Sequence, residues 1–246
     1  MMAGPDLFAE IRRRVEAEEA LAVATIVQAP RGVGSGMLIL PDGSTQGGLG
    51  DGELESRVVP DALEQLRRGP SKTFEYEWAG AETLVFVDVY PAPNRLLVFG
   101  GNHIAVPLVD FAKLVGFRVE VIDARGRFAT RERFPNADEL VLAYADEYLQ
   151  TARVDASAYV VVLTHDPKLD DPALIHALRT DARYVGAIGS RRTHAQRVER
   201  LREAGLTDEQ IGRIHAPIGL DIEAQNPEEI ALAIMAEVVA AKNGWK

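Results

Sequence analysis

The chain has 246 residues, 47% of them apolar and 26% charged, with a formal net charge of −10 and no cysteine. That composition excludes a disordered or fibrous chain, and the acidic balance disfavours an electrostatic grip on nucleic acid or an anionic membrane. Without cysteine the chain supplies no disulfide, thiolate metal site, iron–sulfur cluster or thiol nucleophile. No apolar run reaches the ~20 residues of a membrane helix. The start, Met1-Met2-Ala3-Gly4-Pro5-Asp6, lacks the basic-then-apolar order of a signal peptide, so the cytoplasm is the expected compartment.

In chain order, Leu7, Ile11 and Val15 have helical spacing over Leu7–Glu18, with Asp6 as the expected cap. Leu21–Val27 reads as a strand, and Met37–Leu40, the turn Pro41-Asp42-Gly43 and Ser44–Gln46 as a hairpin. Gly47-Gly48-Leu49-Gly50-Asp51-Gly52 is either an anion-binding turn or a flexible crossing. Glu53 and Glu55 directly after it disfavour a phosphate. A helix follows from about Leu54 to Arg68, then two alternating strands, Lys72–Trp78 and Thr83–Val89. The prolines of Tyr90-Pro91-Ala92-Pro93-Asn94 mark a linker, dividing the chain into expected domains at 1–93 and 94–246.

Beyond the linker, strands are expected at Leu96–Phe99, Val119–Asp123, Leu140–Ala143, Tyr159–Thr164 and Tyr184–Ile188. Helices are expected over His103–Val115, from Asp170-Asp171-Pro172 to Arg179, and from Ser190 to Ala204. A short one follows the capping box Thr207–Gln210, and a last one runs from Asn226 to Ala241. Strands alternating with helices predict an α/β protein: an N-terminal α/β domain and then a doubly wound parallel sheet.

Leu96–Phe99 runs into Gly100-Gly101-Asn102-His103-Ile104-Ala105, a glycine-rich turn between a buried strand and a helix start. Such turns bring backbone N–H groups and the positive end of a helix dipole to a phosphate. Set on the dinucleotide template G-x-G-x-x-G/A, the three key positions are Gly100, Asn102 and Ala105, and Asp123 stands where a ribose-binding acid belongs. Asn102 departs from the template because its side chain takes up ligand space. The fold therefore binds a dinucleotide or is Rossmann-like without one.

Thr164-His165-Asp166 and Gly189-Ser190 end the next two strong strands, so His103, Asp123, His165 and Ser190 are expected at one crevice. There an imidazole and a carboxylate can hydrogen-bond a heterocycle, move a proton or hold a metal. Each histidine is equally a turn residue bonded to its neighbours. Arg191 and Arg192 at a helix start are candidate anion ligands. Arg197, Arg200 and Arg202 read as a solvated face paired with Glu199 and Glu203, and His176, His194 and His215 as solvated residues. No Ser/His/Asp order, zinc spacing or phosphate-binding Walker loop occurs, so no catalytic or metal residue is assigned.

Several segments in order resemble the xanthine dehydrogenase accessory protein family (XdhC/CoxI). They are Gly100–Leu108, Val119–Arg125, Arg127–Thr130, Thr164–Asp166, Val185–Arg192, Pro217–Ile222 and Pro227–Ala231. The resemblance implies a maturation factor rather than an enzyme. Such a factor binds molybdenum cofactor, works with a cysteine desulfurase, and serves a molybdenum hydroxylase of the xanthine or carbon-monoxide dehydrogenase type, as a homodimer. From the strand-end positions above, we expect such a cofactor among Gly100, Gly101, Asn102, His103, Asp123, His165, Gly189, Ser190, Arg191 and Arg192. The family's Gly-Gly-Cys-x-Glu motif is matched by Asp51–Glu55, with Glu53 where the cysteine stands, and a carboxylate carries no persulfide. Asn102 and Glu223 also replace glycines typical of the family. Two other readings are an NAD(P)-dependent oxidoreductase, with His165 as proton donor, and an interaction scaffold without ligand.

Overall fold

A computed structural model describes residues 5–244, less the side chains of Pro5, Asp6 and Arg68. The Met1–Gly4 start thus lies outside the described set, and the first helix, Pro5–Glu16, already includes Asp6, which is therefore not the cap expected of it. The chain forms two compact units, Met1–Ala92 and Pro93–Lys246.

The first unit contains α1 (Pro5–Glu16), β1 (Leu21–Gln28), β2 (Gly36–Ile39), β3 (Thr45–Gly47), α2 (Gly52–Arg68), β4 (Lys72–Trp78) and β5 (Ala81–Tyr90). Its strands form an antiparallel sheet in the order β3-β2-β1-β5-β4. Leu54, Val58 and Ala62 recur at four-residue spacing in α2 and face Ala22, Ala24, Ile26, Val85 and Val87 of the sheet. Pro60 lies inside the helix, on its exposed side.

The second unit contains β6 (Arg95–Phe99), α3 (Ala105–Leu114), β7 (Arg118–Ile122), β8 (Glu139–Val141), α4 (Ala145–Thr151), β9 (Ala158–Val162), α5 (Pro167–Ala177), β10 (Tyr184–Ala187), α6 (Arg191–Glu203), α7 (Asp208–Ile211), β11 (Ile214–His215) and α8 (Pro227–Lys242). All six strands are parallel, in the order β11-β10-β9-β6-β7-β8. The order reverses between β6 and β9, as in doubly wound nucleotide-binding sheets, whose ligands lie at that reversal.

The strands are apolar without a break because the sheet is buried on both faces, with successive residues facing opposite layers. Leu96, Val98, Tyr159 and Val161 pack under α3 and α8, while Leu97, Phe99, Val160 and Val162 pack under α4, α5 and α6. Two helix starts differ from expectation. α5 begins at Pro167, capped by Asp166, so Pro172 lies inside the helix rather than in its first turn. α3 begins at Ala105 rather than His103, for a reason found in the site. α4 and β11 are elements that the sequence pattern does not reveal.

Candidate functional site

The turn after β6 is held by its neighbours. Gly100 has φ +106°, and a Cβ there would stand 2.7 Å from the Thr164 methyl. A Cβ at Gly101 would stand 2.5 Å from the Phe128 carbonyl oxygen. Both glycines are therefore required by the protein's own packing, whatever binds beside them. Asn102 follows, and its Oδ1 accepts the N–H groups of Ile104 (3.0 Å) and Ala105 (3.1 Å) while its Nδ2 donates to the Leu163 carbonyl (2.7 Å). Those two N–H groups lead into α3, where a dinucleotide fold presents donors to a diphosphate. Here a side-chain amide takes them, and that moves the helix start beyond His103. His103 itself is exposed.

Asp123, at the end of β7, is buried and saturated. It accepts hydrogen bonds from the Gly101 N–H (2.9 Å), the Arg125 N–H (2.9 Å), and Arg125 Nε and Nη2 (2.9 and 2.8 Å). Burial works to raise its pKa, but the Arg125 guanidinium and the two N–H groups outweigh it and hold the carboxyl below its ordinary value. A carboxylate has about four lone-pair positions. All are filled from within, so Asp123 fixes the glycine turn and Arg125 in place.

At the end of β9, His165 turns the chain with φ +62°, a conformation uncommon outside glycine, and is exposed. Thr164 Oγ1 donates to Asp170 Oδ1 at 2.5 Å, and Asp170 Oδ2 meets Arg197 Nη2 at 3.3 Å. Arg197 Nη2 also donates to the Ile188 carbonyl at 2.9 Å. This network ties the ends of β9 and β10 together beneath the crevice. Burial raises the Asp170 pKa, against the pull of Thr164 and Arg197.

Arg197 thus departs from its sequence reading. It is 1% exposed and internal, not part of a solvated face, and its Nε and Nη1 have no partner among the described residues. Arg200 pairs with Asp171 (2.5 Å) rather than a glutamate, while Arg202 meets both Glu199 and Asp208. The histidine readings change too. His194 Nδ1 is buried without a partner among the described residues, and burial together with Arg197 lowers its pKa. His215 stacks on Tyr184 with centroids 4.5 Å apart and bonds Glu237 at 3.1 Å. His176 is half-buried in the last turn of α5.

Ser190 caps α6, its Oγ accepting the Thr193 N–H at 3.1 Å, after Gly189 at φ +138°. Arg191 and Arg192 follow, exposed and without an ion pair among the described residues. At the other edge lies a small cavity of about 20 Å³, room for about one water, lined by Phe99, Gly100, Ile122, Asp123, Tyr144 and Thr164 among others. The Arg125, Arg127 and Arg133 guanidiniums lie 4.3, 4.8 and 5.5 Å from the Phe128 ring centroid. These arginines and Tyr144 are not among the expected site residues. Their available signal is the arginine density of residues 125–133.

In the first unit the second glycine-rich turn is closed from within. Asp51 caps α2, accepting from Glu53 and Leu54 N–H, and Glu55 Oε1 accepts the N–H groups of Leu49 (2.7 Å) and Gly50 (3.2 Å). Glu53 stands exposed in the first turn. No helix among the described residues is long and apolar enough to cross a membrane.

The family model described as the XdhC Rossmann domain matches residues 96–238, and that of the XdhC and CoxI family matches residues 14–77. The Escherichia coli (strain K12) protein YqeB, itself uncharacterised, is 28% identical across 97% of this chain and 46% of its own length. A Bacillus subtilis (strain 168) protein, named as a probable component of xanthine dehydrogenase, is 30% identical across 74% of this chain and 53% of its own. The E. coli molybdenum cofactor insertion chaperone PaoD is 35% identical across 60% of this chain and 40% of its own. The chain spans about half the length of these curated relatives. A crystal structure of a Bacillus halodurans protein named as a xanthine dehydrogenase shares the fold, with TM-score 0.57, 22% identity, and coverage of 95% of this chain and 96% of that one. With its Rossmann unit and most of its first unit matched in order, the chain belongs to the XdhC/CoxI family.

Proposed function

We propose that this chain is an accessory factor that holds molybdenum cofactor and presents it to a molybdenum hydroxylase client. The carrying observation is the family membership, together with a relative named as a molybdenum cofactor insertion chaperone. The chemistry of residues at the crevice supports this reading. Arg191 and Arg192, uncommitted at the capped start of α6, suit a phosphate by charge-assisted bonds. The exposed imidazoles of His103 and His165 suit the edge of a heterocycle. Gly100, Gly101, Asn102 and Asp123 form the floor, and their internal bonds hold it rigid before a ligand arrives.

When bound, the cofactor supplies the redox chemistry of the client; this chain's residues bind and orient it. We further propose that the chain acts without a covalent sulfur relay, since Glu53 occupies the first turn of α2 and the chain contains no thiol. A cysteine desulfurase would then act on the held cofactor, and a two-fold dimer is the assembly we expect. The closure of the α3 start by Asn102 weighs against a nicotinamide dinucleotide.

Reconstitution tests this function. A cofactor-free molybdenum hydroxylase is supplied with limiting cofactor, with and without this chain. Faster or more complete recovery of activity with the chain is expected, and Arg192→Ala is expected to lose the gain. Equal recovery without the chain would remove the accessory role.

A further inference from the structure

The second unit holds a buried charge pair beneath its crevice. Arg197 (1% exposed) and Asp170 (2%) meet through a single contact, Nη2 to Oδ2 at 3.3 Å. The other Asp170 oxygen accepts the Thr164 hydroxyl, and Arg197 Nε and Nη1, both buried, have no partner among the described residues. A guanidinium stays protonated and carries five N–H donors, so leaving two of its nitrogens unmet away from water is costly. Apolar residues often replace such a pair without loss of stability. Stability alone therefore does not account for it.

The position of the charge suggests its use. Arg197 lies six residues into α6, about 9 Å along the helix, but helical side chains lean back towards the N-terminus. Its Nη2 reaches the Ile188 carbonyl at 2.9 Å, ahead of the helix, and lies 3.9 Å from where a Cβ would stand on Gly189. That same Cβ would stand 3.2 Å from Thr193 Cγ2, so a glycine lets the turn into α6 pass close beside the guanidinium. On its exposed side the turn carries Arg191 and Arg192. Ser190 Oγ takes the N–H of Thr193, which leaves those of Arg191 and Arg192 at the helix start.

We propose that Arg197 is a buried third cation of an oxyanion site at the start of α6, and that Asp170 is the counter-charge that sets how strongly the site holds its anion. The proposal rests on the reading of α6 as the phosphate-holding side of the crevice. A helix N-terminus supplies about half a positive charge. A guanidinium behind it, with protein rather than water between, adds whatever charge its partner leaves uncancelled. With Asp170 ionised the pair is nearly neutral; with Asp170 protonated, Arg197 acts at full charge. Burial favours the protonated carboxyl, against the pull of Thr164 and Arg197. The other charged groups around the pair are His165 after β9, Asp171 of α5, which Arg200 of α6 binds, and His194 beside Arg197. The histidines also gain charge in acid, so comparison between variants isolates Asp170.

Sulfate is the probe, because it keeps its full charge from mildly acid to neutral pH. It is titrated calorimetrically into the intact chain at low ionic strength. At neutral pH, Asp170→Asn keeps an acceptor for Thr164 and is expected to bind sulfate about fivefold more tightly than wild type. The joint change Asp170→Leu with Arg197→Met removes both charges and is expected to lose that gain. On acidification, wild-type affinity is expected to rise more steeply than that of the joint variant and to approach that of Asp170→Asn. Arg192→Ala is expected to weaken sulfate about tenfold. Asp170→Asn no tighter than wild type, with Arg192→Ala still weakening sulfate, would overturn the role of Arg197 and leave the α6 site standing. If Asp170→Asn does not fold, the joint variant decides, and affinities that run parallel to wild type with pH would overturn the proposal. Sulfate that does not bind, or that ignores Arg192→Ala, would overturn the site and the proposal together. No pterin enters this test, so its failure and that of the accessory role in reconstitution are separable.

Discussion

Replacing Asn102 by alanine removes three hydrogen bonds at once. Two are the acceptor contacts to Ile104 and Ala105 N–H that start α3; the third is the donation to the Leu163 carbonyl. Loss of a helix cap costs about 1 kcal/mol, and loss of the internal amide–carbonyl bond about another 1 kcal/mol. The expected destabilisation of the second unit is therefore about 2 kcal/mol, or roughly 30-fold in its opening equilibrium. Because two units need not unfold together, a global melting curve is a blunt readout. Hydrogen exchange followed by mass spectrometry on peptides spanning residues 100–115 isolates the effect. Protection there should fall by that factor, while peptides of β1 and β5 keep theirs. Asn102→Asp keeps the acceptor and loses the donor, and should lose about half as much. Asn102→Gly frees both N–H groups and should gain affinity for ADP. Exchange in Asn102→Ala indistinguishable from wild type would refute the assignment of Asn102 as the internal occupant of this helix start.

Asp170→Ala strands the buried Arg197 and should destabilise the chain by about 3–5 kcal/mol in urea unfolding. The joint change Asp170→Leu with Arg197→Met should recover most of that loss, whereas additive losses would contradict the coupling. Gly101→Ala drives a methyl into the Phe128 carbonyl, so trypsin should cut faster at Arg125–Arg133. Cofactor lost by that variant would report misfolding rather than a missing contact. At Glu237, burial raises the pKa, but hydrogen bonds from His215, Tyr184 and the Gly219 N–H outweigh it and lower the value overall. A lowered carboxyl pKa stabilises the fold above the unfolded value, ~4.3, and the benefit is lost as pH falls through the folded value. Glu237→Gln should thus be less stable than wild type at neutral pH, with the gap in urea midpoint narrowing below about pH 4.

The parallel sheet is readable in the sequence because its central strands are buried on both faces. Leu96–Phe99 and Tyr159–Val162 therefore carry unbroken apolar runs that little else produces. β11 has two residues, too few to show a period. α4 buries only Leu149 among its seven residues, so no stripe marks it. The start of α5 is ambiguous because the chain offers Asp-Pro twice, at Asp166-Pro167 and Asp171-Pro172, and local chemistry alone does not choose between them. Arg197 holds a core position four residues before Leu201. Its burial depends on Asp170, 27 residues away, and a sequence window does not contain that partner. In the site, Asn102 is legible as a departure from the glycine template, and its side chain does take the space in question. The saturation of Asp123 is hidden, since Arg125 two residues on reads equally as an exposed charge. The Phe128 arginine cluster escapes for a similar reason: four arginines in nine residues normally mean a solvated loop.

The central claim is that the second unit holds molybdenum cofactor at the α6 side of its crevice. The direct measurement is to purify the chain from a host that makes the cofactor, denature it, oxidise the released material and quantify the fluorescent pterin. Near-stoichiometric pterin is expected from the wild type, with a marked loss in Arg192→Ala, whose exposed side chain makes no ion pair among the described residues. No pterin from the wild type, even after incubation with excess cofactor, would contradict the claim.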